Sequence, residues 1–219
     1  MNLPDGLLPA AWLWLAHGLN LLLILWALWR APWRTLLASE RLHVLLGTCV
    51  ALMVLWQIKA GVSPGLNFHI LGSTLLLLMF GAPLAMLGVA LVLCAVTLNG
   101  FGGWQAYSVN ALLMGALPIW ISWTVWRLVE RFLPSNLFIY IFVCGFSAAA
   151  LSMAATGLSS TTVFALSGAY SLDHLLSHYL PFYLLMVFPE AILTGSFVAL
   201  LTVYRPHWIV TYDEDKMLR

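Results

Sequence analysis

Charge is what this chain has least of. Only 8% of its 219 residues are Asp, Glu, Lys or Arg, where a soluble domain carries roughly 25%. That deficit excludes water as the main solvent. A net charge of +1 leaves no electrostatic footprint for nucleic acid. Three cysteines, Cys49, Cys94 and Cys144, lie far apart in apolar runs with no CxxC pair and read as small buried apolar side chains. No glycine–lysine phosphate loop occurs, so any ATP hydrolysis belongs to other subunits. The first apolar run follows Met1-Asn2-Leu3-Pro4-Asp5-Gly6 without the positive stretch of a signal peptide, so the mature chain is expected to start at a retained Met1.

What is there is apolar: 63% hydrophobic residues and a mean hydropathy of +0.97. Backbone in hydrocarbon must satisfy its own hydrogen bonds, and runs of this length and apolarity predict helices, not barrel strands. The expected fold is an all-α polytopic membrane bundle, a single domain over residues 1–219 with a cytoplasmic tail at 205–219. Seven spans can be drawn, at about 8–29, 42–60, 68–81, 84–98, 109–126, 136–157 and 180–204. The third is short, and only Gly81-Ala82-Pro83 separates it from the fourth, so six is the fallback count.

Seven spans put Arg30, Arg34, Arg41, Arg127, Arg131, Arg205, Lys216 and Arg219 on one side and Lys59 alone on the other. The positive-inside rule makes the richer side cytoplasmic, with the amino terminus outside and the carboxyl terminus inside. Met1, Asn67, His69, the loop 99–108 and a long loop 157–178 then share the outer face. Tyr212-Asp213-Glu214-Asp215-Lys216 reads as a solvated end. His43 and His207 fall on the cytoplasmic side as interface residues, and tryptophans near span ends (Trp29, Trp33, Trp104, Trp208) as interface anchors.

His69 stands between the turn Ser63-Pro64-Gly65 and the run Leu75–Phe80. An imidazole there is either bonded to a backbone carbonyl or a ligand suited to Zn, Cu, Ni or Co. Asn67 either caps the following helix or turns its amide to the same site. Leu3-Pro4-Asp5-Gly6 predicts a turn that folds the first residues back. A free α-amine, with a pKa near 7.7–8.0, gives up its proton readily to a metal. Asn110, near the start of a span, needs a polar partner. Glu190, following Pro189 in the last span, calls for pairing with Lys59 or hydroxyls, or for a functional role. His17, inside span one, points into the bundle. His174 and His178 share a helical face but lack the glutamate of H-E-x-x-H, which excludes a zinc protease; they read as interfacial residues or a surface metal site.

Four stretches together resemble the CbiM/NikM family, the substrate-binding membrane components of cobalt and nickel energy-coupling-factor transporters. These are Met1-Asn2-Leu3-Pro4-Asp5-Gly6-Leu7-Leu8; Phe68-His69-Ile70-Leu71-Gly72-Ser73 with Phe80-Gly81-Ala82-Pro83-Leu84-Ala85; Phe101-Gly102-Gly103 with Asn110-Ala111 and Met114-Gly115; and Leu180-Pro181 with Pro189-Glu190-Ala191-Ile192-Leu193-Thr194. The resemblance implies a segment 1–7 that holds a divalent transition metal as substrate, through the α-amine of Met1, the second residue and His69. Asn67, Asn110, Glu190 and His17 would lie around that site or along the pathway. Position two carries histidine in the family and Asn2 here, which leaves copper and zinc open beside nickel and cobalt.

The resemblance further implies a coupling membrane subunit and paired ATPases as partners, residence in the plasma (inner) membrane, and no organic cofactor. Other readings remain beside it: an S-component-like transporter of an organic or cobalamin-type ligand, a haem-carrying or intramembrane enzyme subunit using His17, His69 and Glu190, and an assembly protein. No serine–histidine–aspartate pattern supports hydrolysis by Ser159, Ser160 or Ser167.

Overall fold

The computed structural model describes residues 2–37, 40–61 and 63–217; Met1 and Arg219, both used above, lie outside the described residues. Ala10–Arg30 forms α1, Trp33–Leu37 α2 and Arg41–Gln57 α3. Two short antiparallel strands, β1 (Ala60–Gly61) and β2 (Asn67–Phe68), pair Ala60 with Phe68 and Gly61 with Asn67. α4 (Ser73–Phe80) and α5 (Ala82–Leu98) follow. α6 (Tyr107–Ala111), a π-helical turn at Leu112–Ala116 and α7 (Leu117–Phe132) run on as one rod. α8 (Leu137–Ile139), a π-helical stretch at Tyr140–Ser147 and α9 (Ala148–Leu166) make the next. α10 (Leu172–His178), α11 (Leu180–Leu185) and α12 (Val187–Tyr204) form a broken third, before a tight turn at Pro206–Trp208 and α13 (Glu214–Met217).

Among the described residues, α1, the two π-interrupted rods and the α10–α12 run are long and apolar enough to cross a bilayer, whereas α3 and α5 are shorter apolar helices. Trp14, Leu22, Leu25, Trp29, Phe132, Leu166, Phe188 and Tyr204 all face outward, the inverted surface expected of helices solvated by lipid. The outer loop expected at 157–178 does not exist in that form. α9 continues to Leu166 and α10 begins at Leu172, because Leu158–Leu166 carries no breaker and Ser160, Thr161 and Thr162 donate their hydroxyls to carbonyls one turn back.

α4 is the axis of the molecule. Seven of its eight residues are buried, and it touches α5, α7, α9 and α12. Eight residues rise only about 12 Å, well short of a bilayer's hydrocarbon thickness, and the unpaired backbone groups of so buried a helix must find partners inside the protein. At the amino end the amides of Leu71 and Gly72 donate to the Glu190 carboxylate at 2.6 and 3.0 Å. At the other end the Leu78 carbonyl accepts from the amide and hydroxyl of Thr211, and the Met79 carbonyl from the Val210 amide. The chain after α12 thus returns into the bundle: Ile209 and Tyr212 are buried. Of the expected solvated end, Asp213, Glu214 and Lys216 are exposed and Tyr212 is not.

A second repair fixes α7 against α4. Pro118 has no N–H for the Met114 carbonyl four residues back, and Ser73 Oγ donates to that carbonyl at 2.6 Å instead. Thr156 serves the Leu113 carbonyl, and Ser152 the Pro118 carbonyl. Thr74, Ser122 and Ser152 link α4, α7 and α9 through hydroxyl contacts of 2.8 Å each.

Candidate metal centre

Asn2 and Leu3 are threaded into the bundle, as the Leu3–Gly6 turn predicts. Asn2 is 2% exposed and Leu3 fully buried. Leu3 N–H donates to Asn110 Oδ1 at 3.0 Å, while Asn110 Nδ2 and the Gly103 amide donate to the Leu3 carbonyl at 3.4 and 2.9 Å. The Asn110 carboxamide therefore pairs with Leu3 as a neighbouring strand would. Asp5 Oδ1 accepts from the amides of Gln105 and Ala106 at 2.8 and 3.4 Å, placing an anion at the start of α6, where the helix dipole favours it. Gly103 is required here, because a Cβ would run into the Asp5 backbone and carboxylate. Leu3, Pro4 and Leu7 close over Gly65 in the turn that precedes His69.

Asn2 carries the least conventional feature. Its side chain is buried beside Gly102 and Asn110, yet neither Oδ1 nor Nδ2 has a hydrogen-bond partner among the described residues. A buried amide left in that state costs about 1–3 kcal/mol per group.

His69 is 1% exposed. Its Nδ1 lies 2.9 Å from the Ile70 carbonyl. A carbonyl only accepts, so Nδ1 carries the proton, and the neutral ring keeps its lone pair on Nε2, the tautomer a metal requires. The Trp56 indole packs on the imidazole, centroids 4.9 Å apart, and donates to the Leu71 carbonyl at 3.1 Å. Phe68 stacks on Tyr179 and edges against Tyr183, so both flanks of His69 are pinned. Gly72 adopts φ 66°, a left-handed conformation suited to glycine, and turns the chain so that the Leu71 and Gly72 amides reach Glu190.

The other expected residues fall in three places. Asn110 serves the amino-terminal segment. Glu190 is buried and serves the backbone after His69; its partners are Leu71, Gly72 and the Thr194 hydroxyl at 3.5 Å, not Lys59. Lys59 instead lies over the Phe101 ring, 4.5 Å from its centroid, and burial lowers its pKa. His17 binds Ser108 Oγ through Nδ1 at 2.8 Å, with Asn20 on the same hydroxyl, joining α1 to α6. Asn67 sits in β2 with its amide oxygen over Gly61; it does not cap α4, whose N-cap is Gly72. Trp56 escaped the sequence reading, and so did the partners of Asp5 and Gly103, since each acts through a contact with no local pattern.

No group of three or more His, Cys, Asp or Glu capable of holding a metal occurs among the described residues. The polar groups around the buried amino-terminal segment and the His69 turn include an imidazole and carboxamides, donors that borderline divalent ions accept, beside the backbone-bound carboxylates of Asp5 and Glu190.

Residues 2–208 match a family model described as CbiM, cobalt uptake substrate-specific transmembrane region. No curated protein matches the chain significantly. A crystal structure described as a truncated transition metal transporter superposes with a TM-score of 0.77 at 17% identity, over 92% of this chain and 98% of that one. Another, described as a transition metal transporter, gives 0.77 and 17% over 92% of each chain. At that identity the likeness establishes the fold.

Proposed function

The chain belongs to the CbiM family of cobalt uptake substrate-specific transmembrane regions, and on that premise we propose that it is the membrane component that binds a divalent transition-metal ion for uptake. In this reading the ion is held by the α-amine of Met1, by Asn2 and by His69 Nε2. The observation that carries it is the Asn2 carboxamide, buried and without a hydrogen-bond partner among the described residues, next to a Leu3 backbone held on both sides. An ion that takes a donor from Asn2 relieves that cost.

Each nitrogen suits the task. The amine loses its proton near neutral pH, and imidazole is a good ligand for Co, Ni, Cu and Zn alike. Asn2 in place of a family histidine adds an oxygen or backbone-nitrogen donor where an imidazole would otherwise bind. Asn110, through Leu3, and Glu190, through the Leu71–Gly72 backbone, fix the positions of the ligands without touching the ion. In this reading the site faces outward, the arrangement uptake requires. Transport energy comes in this reading from a coupling membrane subunit and ATPase subunits.

Equilibrium dialysis of the purified chain against Co(II), Ni(II), Cu(II) and Zn(II) tests the reading. One tightly held ion per native chain and none in His69→Ala support it. Full retention by a folded His69→Ala chain contradicts it.

A further inference from the structure

Between α3 and α12, where both flank α4, the bundle leaves a groove of about 700 Å³. Its floor is α4 with the Gly72 turn ahead of it, and its walls carry Gly47 and Ala51 on α3 and Leu193 and Phe197 on α12. The two hydroxyls along its length are bonded within the protein. Thr48 donates to the Val44 carbonyl at 2.7 Å, and Thr194 to the Glu190 carboxylate at 3.5 Å. Between its two ends the groove therefore offers an occupant hydrocarbon alone.

Its depth is that of one leaflet. From His43 to Leu55, the first and last α3 residues that line it, the helix rises about 18 Å. Half of a bilayer's hydrocarbon core is about 15 Å, and a spanning helix needs about twice that length. The groove thus matches an acyl chain and falls short of a partner's transmembrane helix. Its end at His43 and Trp208 is polar. The exposed Arg205 guanidinium lies over the Trp208 ring, 5.8 Å from its centroid, and Arg41 stands beside His207 in the adjoining hollow. The acids nearby are Glu214, in that hollow, and Glu40, whose Oε1 lies 3.0 Å from both His207 Nε2 and Trp208 Nε1. Those two contacts tie the start of α3 to the turn after α12 and so set the spacing of the walls.

We propose that this groove seats one acyl chain of a membrane phospholipid, with the headgroup phosphate at Arg205 and His43. A guanidinium meets two phosphate oxygens at once, and the Trp208 indole marks headgroup depth, where tryptophan collects in membrane proteins. A chain lying between α3 and α12 with α4 beneath it is enclosed on three sides, which distinguishes it from lipid that slides past the outer helix faces. Its tip reaches Gly72 and Thr194, behind the segment that Glu190 holds. Lipid binding here is independent of the metal ligand set proposed above.

Native mass spectrometry of the purified chain, stripped of lipid and titrated with palmitoyl-oleoyl phosphatidylglycerol, counts what stays bound. The same lipid with a diazirine on its palmitoyl chain locates it. The native chain is expected to retain a single phospholipid, cross-linked to groove residues of α3 and α12. Gly47→Leu fills the groove: a Cβ there meets nothing within 4 Å, and leucine is the better helix former. The variant should melt no lower than the native chain and lose that lipid. Arg205→Gln should weaken binding by roughly tenfold, the scale of one hydrogen bond to a charged group. Retention by folded Gly47→Leu, or cross-links spread evenly over the outer helix faces, overturns the site. A dimer that forms through these faces with no lipid retained gives the groove to a second copy and overturns it too. Unchanged affinity in Arg205→Gln overturns the headgroup assignment.

Discussion

The Asn110 carboxamide holds the Leu3 backbone from both sides, accepting from its N–H at 3.0 Å and donating to its carbonyl at 3.4 Å. A side chain 107 residues away in sequence thus fixes the backbone at Leu3. An amino terminus would otherwise fray, and fraying would dissolve a site built on its nitrogens.

Asn110→Leu keeps the volume and removes both hydrogen bonds. The Leu3 N–H is left buried without a partner, a cost of about 1–3 kcal/mol, and the terminal residues loosen. Metal affinity is expected to drop by roughly 10–100-fold, the usual effect of losing a group that orients a ligand. Titration calorimetry of the folded variant checks it.

Glu190→Gln tests the other anchor. Both carboxylate oxygens accept from backbone amides, and a carboxamide offers one acceptor and one donor, so an N–H would face an N–H. The melting temperature should fall by about 2–4 °C for each kcal/mol lost in a chain of this size. Metal affinity should fall with it, because the segment that Glu190 holds begins two residues after His69. Glu190→Asp, too short to reach both amides, should behave similarly.

Affinity should depend on pH with a definite sign. A metal displaces the proton of an α-amine whose ordinary pKa is about 7.7–8.0. Below that range each unit of falling pH should weaken binding by about tenfold for that single proton, and above it the dependence should flatten. Dialysis from pH 6 to 9 follows the slope, and a flat profile across that range is incompatible with an amine ligand.

Asn2→His supplies the imidazole that the family carries at this position. The ratio of nickel affinity to zinc affinity should rise, since a further nitrogen donor favours an ion that prefers tetragonal geometry. Competition dialysis with paired metals reads the ratio directly.

Much of this architecture is legible in the sequence for physical reasons. Apolar runs and the Gly81 break define helices through hydrogen-bond saturation in hydrocarbon. His69, Asn110 and Glu190 stand out because polar groups in such runs demand partners. Which partner each finds is not legible. Glu190 reaches Leu71 and Gly72, and Asp5 reaches Gln105 and Ala106, across separations of 100 residues or more. Thr211 completes α4 from 133 residues away, so a segment that reads as polar tail lies against the core. The helical extension of α9 to Leu166 was hidden by its Ser/Thr content, which imitates a loop until the hydroxyls are seen bonding to the preceding turn.

The most direct measurement is the metal content of the purified chain with a single alanine placed ahead of Met1, alongside the native chain, with amino-terminal sequencing to establish which nitrogen is free in each. The alanine moves the amine by one residue and leaves His69, Asn110 and Glu190 in place. Loss of the tightly bound ion from a chain that melts like the native one is the predicted result. Full occupancy in the extended chain would contradict a site built on the first nitrogen.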